Sequence, residues 1–405
     1  MSSRRWLQLA PLICIGLPVF AQYDAPLPVE ERGKPFTITA QVRQEYDDNV
    51  YTQENNREES WKSQLIPTFI FNLPLDRTLI SARYTFGLTY FWDRPGDDID
   101  FSHEFVGRVA HTFTERFDID VRDRFVYTYE PDLRSPGSTR FVDGNYLIND
   151  FSVFSRFQWL PRFGNTLEYN NRIVDYDSGY ISTFEDRMEH TINLENRWQV
   201  LPTTVGVLGY RFNLVEYEQL PKSSHSHFLM GGVDHKINDL WVVSGRAGAE
   251  FRTFDEGDDS VAPYVSLSST YAYAPNSTVS LFYQHSLSLT DVGLYTVQTS
   301  DTIGFNLYHS FTPDFGFKLA SAFSWGDYDA GNSIDQYDDD IDALYGDIEA
   351  QDFGEFSMYL DAGFVYNFNE HLSAELGYIF SHLDSELPGR DYDRNRYYIG
   401  LRGTY

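Results

Sequence analysis

From residue 36 to residue 405, apolar side chains recur at every second position. In 188–200, Met188, His190, Ile192, Leu194, Asn196, Trp198 and Val200 fall on one face; Glu189, Thr191, Asn193, Glu195, Arg197 and Gln199 fall on the other. In 353–368, Phe356, Met358, Leu360, Ala362, Phe364, Tyr366 and Phe368 form an unbroken apolar face. A strand brings positions i, i+2 and i+4 to one side, and a helix does not. The rhythm predicts about eighteen strands: 36–46, 60–73, 78–92, 101–113, 117–129, 146–160, 165–175, 188–200, 204–215, 225–237, 241–254, 261–273, 278–290, 301–311, 315–326, 353–368, 372–383 and 394–405.

The connections fall into two alternating sets. One is very short: 74–77, 114–116, 161–165, 201–203, 238–240, 274–277, 312–314 and 369–371, with the Pro, Asn and Asp of tight turns. The other is longer and acidic: 47–59, 93–100, 130–145, 175–187, 216–224, 255–260, 291–300, 327–352 and 384–393. Strict short–long alternation is the pattern of a transmembrane β-barrel, with short periplasmic turns and longer outer loops. The expected fold is therefore all-β: a transmembrane antiparallel up-and-down barrel occupying 36–405. An even strand number places both termini in the periplasm and leaves no backbone edge facing lipid. A soluble sandwich would use shorter strands and would not sort its loops by length.

Composition sharpens this picture. Aromatic residues make up 17% of the chain, more than a polar soluble globule requires. A barrel in lipid uses them, because only alternate residues face the bilayer. The formal net charge of −29 argues against nucleic acid as a partner. Residues 1–21 read as a signal peptide: Arg4 and Arg5 precede an apolar stretch, and Val19, Phe20 and Ala21 offer a cleavage site. The single cysteine, Cys14, lies inside that leader. Residues 22–35, with Pro26, Pro28 and Pro35, read as a short periplasmic lead-in.

The acidic excess sits in the long loops, whereas the polar strand faces are nearly balanced. Inward basic candidates are Arg43, Arg83, Arg108, Arg122, Arg124, Arg156, Arg172, Arg197, Arg246, Arg252 and Lys318. Inward acidic candidates are Glu45, Glu104, Asp118, Asp120, Glu168, Glu189, Glu195, Glu250, Asp361 and Glu375. Such residues can line a wet lumen whose arginines act on anionic groups, or form interior ion pairs that stiffen the wall. In loop 327–352, Asp335, Asp338, Asp339, Asp340 and Asp342 offer oxygen ligands to a divalent cation, without the spacing of a Ca²⁺-binding loop. His111, His190, His235 and His309 share the apolar parity of their strands and suit a headgroup-level belt. No local constellation suggests catalysis, and no cofactor is expected.

The stretch EYDDNVYTQENN (45–56), followed by LIPTFIFNLPLDRTLISARYTFGLTYF (65–91), resembles the start of the β-barrel porin 2 family of outer-membrane proteins. The shared features are the Asp48–Tyr51 turn, a second strand containing Pro67, and a Tyr-rich third strand. The resemblance implies an association with exopolysaccharide synthesis and export systems, and a looser similarity to eighteen-stranded alginate-export barrels. The near-balanced lumen departs from the strongly basic one of those barrels. The final residues YYIGLRGTY (397–405) resemble the C-terminal signal read by barrel-assembly machinery, through Gly400, Leu401 and Tyr405; Gly403 stands where a bulky apolar residue is usual. The expected function is a non-enzymatic outer-membrane pore or export channel for polar solutes, with exopolysaccharide among the candidates. The expected surroundings are outer-membrane lipid and lipopolysaccharide. The alternative is a structural or adhesion barrel with acidic surface loops and a lumen plugged by charged side chains or by an inward-folded loop such as 327–352.

Overall fold

The computed structural model describes residues 34–130, 145–177, 185–255, 259–333 and 351–405. The leader, the lead-in up to residue 33, and Asp335, Asp338, Asp339, Asp340 and Asp342 lie outside the described residues. Alternation builds eighteen strands: β1 (Phe36–Asp47), β2 (Ser60–Pro74), β3 (Thr78–Phe91), β4 (Ile99–Thr114), β5 (Phe117–Thr128), β6 (Tyr146–Leu160), β7 (Phe163–Tyr176), β8 (Arg187–Leu201) and β9 (Thr204–Tyr217), then β10 (Ser224–Asn238), β11 (Trp241–Phe254), β12 (Ser260–Ala274), β13 (Ser277–Leu289), β14 (Val297–Thr312), β15 (Phe315–Tyr328), β16 (Phe353–Asn369), β17 (Leu372–Ser385) and β18 (Tyr392–Thr404).

Consecutive strands pair antiparallel, and β18 pairs with β1 from Thr39↔Thr404 to Asp47↔Arg396. The sheet closes into a barrel, with every strand paired to both neighbours, although β12 and β13 part above Val265↔His285. The largest departure from the expected boundaries is β14, which begins at Val297 rather than 301 because Val297–Ser300 pair with Ser286–Leu289. The 291–300 connection is correspondingly shorter than its sequence suggests.

The exterior carries the apolar parity. Val42, Leu208, Leu229, Val261, Leu376 and Ile399 are each more than half exposed. A closed barrel with this exterior satisfies every strand within the wall and offers lipid only side chains, so it crosses a membrane without an apolar helix. This is the architecture of the bacterial outer membrane.

The lipid face also holds a level of paired polar groups. Tyr84, Tyr169, Tyr210, Tyr283 and Tyr378 are each the seventh residue of β3, β7, β9, β13 and β17. Their hydroxyls bond His103, His190, His227, Asp301 and Asn395 at 2.6–2.9 Å. Three of the histidines expected in a belt also find hydroxyl partners near the short-turn end: His111 with Thr78, His235 with Thr204 and His309 with Tyr273. Polar groups facing hydrocarbon are tolerated when they satisfy one another in this way.

The inner face has its own packing device. Tyr398 stands opposite Gly377, and Phe282 stands opposite Gly304. A Cβ at either glycine would lie 2.3 Å or less from the facing ring. The missing side chains let the aromatics lie flat across the neighbouring strand, which restores the cover that glycine removes.

Candidate functional site

The lumen is the one concave space that eighteen closed strands must create, and its two ends differ. The β3–β8 wall is charged along its length, from Asp118 and Arg156 near the short turns to Asp150 and Arg172 in the long-loop half. Glu104 takes Arg83 at 3.3 Å and Arg124 at 2.9 Å; Asp120 takes Arg108 at 2.6 Å and Arg122 at 3.1 Å. Asp118 takes Arg156 at 2.6 Å, and Asp150 takes Arg124 at 3.4 Å and Arg172 at 3.5 Å. Except at Arg172–Asp150, the arginines are the more exposed partners of this lattice. Arg122 and Arg156 are 54% and 46% exposed, against 15% and 24% for their partners Asp120 and Asp118. The long guanidinium stems reach past the short carboxylates, so water in the lumen meets mainly N–H donors.

Farther round the wall, Arg197, Arg246, Glu195 and Asp234 form a four-membered network. Arg252 pairs with the fully buried Glu250 at 2.7 Å. Arg43 pairs with Glu45 and lies 3.6 Å from the centre of the Tyr398 ring. Glu168 is buried, and among the described residues it makes no ion pair. The opposite wall is richer in hydroxyls, with Thr270–Ser280, Ser288–Ser300 and Thr302–Ser324 joined at 2.7–3.0 Å.

Toward the long-loop end the interior is packed. At the seam, Asp47, Lys62 and Arg394 are almost wholly buried. Asp47 accepts from Arg394 Nη2 at 2.7 Å and pairs with Lys62 at 2.6 Å. Arg394 and Arg396 both reach Glu130, at 2.8 Å. Glu130 follows β5, five strands away around the wall, so this contact crosses the mouth rather than following the sheet. Burial works to raise the Glu130 carboxyl, but Arg394, Arg396 and Lys62 outweigh it and hold the group below the usual carboxylate range.

The Asp48–Tyr51 turn is part of this clasp. Asp48 accepts from the backbone N and side-chain Nδ2 of Asn395 at 2.6 and 2.7 Å. Asn49 donates to the Asp393 carbonyl at 2.9 Å, and Val50 packs with Phe91 and Tyr129. The opposite end of the seam is tied by the backbone pair Ile38–Tyr405, at 2.8 and 3.0 Å. Gly400 stands opposite Arg43 and Leu401 opposite Val42, with Leu401 and Tyr405 pointing outward and exposed.

A second packed group covers another sector of the same end. Leu220, Val292, Leu294, Tyr295, Tyr328 and Phe353 form one buried cluster, with Leu387 against it. Arg390 bonds Glu355 at 2.6 Å and Asp291 at 2.8 Å. Nearby, Lys222 is buried against the Tyr217 ring, and its ammonium has no hydrogen-bond partner among the described residues. Burial lowers that ammonium, and Glu185 offsets the effect only in part.

Sequence parity reaches Arg43, the β3–β8 arginines, Arg197, Arg246 and Arg252, with Glu104, Glu195 and Glu250. It could also have yielded Lys62, Arg211, Asp234 and Arg394, which share the inward parity of their strands. Glu130, Asp291 and Arg390 carry no comparable signal, because they lie in loops and their partners stand on distant strands.

No family model matches the chain, and no curated protein matches it in sequence. Among solved structures, the crystal structure of Acinetobacter baumannii OccAB4 is 11% identical, covers 92% of this chain and 99% of its own, and superposes with a TM-score of 0.47. The outer membrane protein OpdK from Pseudomonas aeruginosa is 11% identical over 91% of this chain and 99% of its own, with a TM-score of 0.47. The siderophore receptor PirA from Pseudomonas aeruginosa is 8% identical over 92% of this chain and 80% of its own, with a TM-score of 0.46. These likenesses are loose; the barrel stands on the chain's own strand register.

Proposed function

We propose that the protein is an outer-membrane channel for small polar solutes, with the short turns and both termini on the periplasmic side. The observation that carries this reading is the open, guanidinium-lined half of the lumen. Charged side chains are kept hydrated there at the cost of any packed core. A solute entering it meets N–H donors first, which favours anionic or hydroxyl-rich molecules over cations. Export of an exopolysaccharide is the finer form of the proposal, supported by the sequence resemblance at 45–91. No catalytic step belongs to this reading.

Planar-bilayer recording of the purified barrel tests it. Ion conduction is expected, with a reversal potential displaced toward anions. Arg122→Ala combined with Arg156→Ala should move that potential toward cations. A folded barrel that passes no ions under any condition would sink the channel.

The packed loop end favours one second reading, a structural or adhesion barrel whose acidic loops contact surface polymers. That barrel would stay silent in the same recording even after its loop end is loosened.

A further inference from the structure

We infer that residues 290–296, between β13 and β14, are the gate of this channel: a strap that shuts the loop end and swings on the tip of its own hairpin. The inference rests on the channel reading and adds how the channel is controlled.

The strap turns its apolar residues into the barrel's mouth. Val292, Leu294 and Tyr295 are buried, at 7%, 7% and 2% exposure. They pack on Leu220 from the β9–β10 connection and on Tyr328 and Phe353 at the tips of β15 and β16. Tyr328 and Phe353 stack at 4.1 Å, and Tyr295 meets both edge-on at 5.4 and 5.3 Å. Asp291 ties the strap to Arg390 in the β17–β18 connection, and Arg390 is anchored in turn by Glu355. One short segment therefore joins three other sectors of the rim. Gathered at the mouth of a charged, wet lumen, these apolar groups hide one another from water and cover that sector of the opening.

The same segment is built to move. β12 and β13 stop pairing above Val265↔His285. Beyond that point Ser260–Tyr264 stay on β11 and Ser286–Leu289 stay on β14. The hairpin that carries the strap thus has no backbone ladder to β12 along that side, where Leu287 and Val297 pack on Ala262 and Phe254 instead. Its backbone contacts with other parts of the rim are Thr296 N donating to Asn332 O at 3.0 Å and the bridge Tyr295↔Ser333. Opening breaks mostly side-chain contacts and leaves the wall intact. It also exposes three large apolar groups to water, so the closed state dominates until those groups are removed.

The test is single-channel recording of the full barrel, with folding checked by heat-modifiable gel migration. Replacing Val292, Leu294 and Tyr295 together by Ser should raise the time-averaged conductance at least about tenfold over the natural chain. The milder Arg390→Ala should raise opening frequency without changing the size of the open step. In an Asp291→Cys/Arg390→Cys variant, with Cys14 also replaced, a bifunctional thiosulfonate reagent should suppress openings and a reductant should restore them. Equal conductance in the natural chain and the triple variant would overturn the gate while leaving the channel standing. Silence in every folded variant would overturn the channel and the gate with it.

Discussion

The seam cluster allows a prediction in which charge count and contact count pull apart. Arg43, Lys62, Arg394 and Arg396 face Glu45, Asp47 and Glu130. Asp47→Asn keeps the shape of the side chain and removes its charge. Arg394, which gives Asp47 bonds at 2.7, 3.1 and 3.2 Å, loses its main partner; Lys62, at 2.6 Å, loses its nearer one. Four cations then face two carboxylates in a buried space. Breaking a buried pair in this sense costs about 3–5 kcal/mol. Lys62 keeps Glu45 at 3.2 Å and Arg394 keeps Glu130 at 2.8 Å, so the lower figure, about 3 kcal/mol, is expected.

Arg394→Met removes the largest fully buried side chain but nearly conserves its volume. Asp47 retains Lys62, Glu130 retains Arg396, and three cations face three carboxylates. The expected cost is about 1–2 kcal/mol, mostly lost hydrogen bonds. Urea unfolding from lipid vesicles, followed by tryptophan fluorescence, measures both. Asp47→Asn should be the worse variant, and the double variant should cost less than the two single costs added, because the residues share one network. A larger cost for Arg394→Met, or two costs within about 0.5 kcal/mol of zero, would refute the assignment of this cluster as the closure of the barrel.

Two further outcomes are expected from the same physics. Tyr210→Phe leaves His227 without its hydroxyl partner on the lipid face and should cost about 0.6–1.7 kcal/mol in vesicle unfolding; no measurable cost would refute that bond. Glu130 has a carboxyl held low in the folded protein, so its contribution is complete above the unfolded value near 4.3 and is lost as pH falls through the lower folded value. The stability gap between the natural chain and Glu130→Gln should therefore shrink below about pH 4 and vanish in stronger acid; a gap that widens on acidification would contradict it.

How much of this was legible in the chain depends on the range of the interaction. Alternation is a property of neighbours, so His190, Ile192 and Leu194 announce a strand and its outer face without any knowledge of the fold. Parity likewise puts Arg108, Arg122 and Arg156 on one inner wall. Register is longer-ranged, yet short turns fix it, and adjacent strands inherit it. The ion pairs that run along the sheet, such as Arg108 with Asp120, follow from that register. β14 starts four residues earlier than alternation suggests because Val297, Gln298, Thr299 and Ser300 offer one apolar position among three polar ones, and their pairing with Ser286–Leu289 is visible only in the hairpin.

The contacts across the mouth obey no such rule. Asp291 and Arg390 are 99 positions apart, and Glu130 and Arg394 are 264 apart. Nothing local in either pair marks it, since a loop aspartate reads the same whether it faces water or a buried guanidinium. The sequence offered 327–352, its most acidic loop, as one example of an inward-folded plug. Most of it, from 334 to 350, lies outside the described residues; among the described residues, the shorter and more apolar 290–296 is buried against other parts of the rim. The physical distinction is desolvation. An acidic loop gains nothing by leaving water, whereas Val292, Leu294 and Tyr295 gain by burial against Phe353 and Tyr328, and Asp291 follows them because Arg390 and Glu355 already stand as a pair. Among the described residues, apolar side chains in a connection that has no need of them mark a segment that packs rather than faces water.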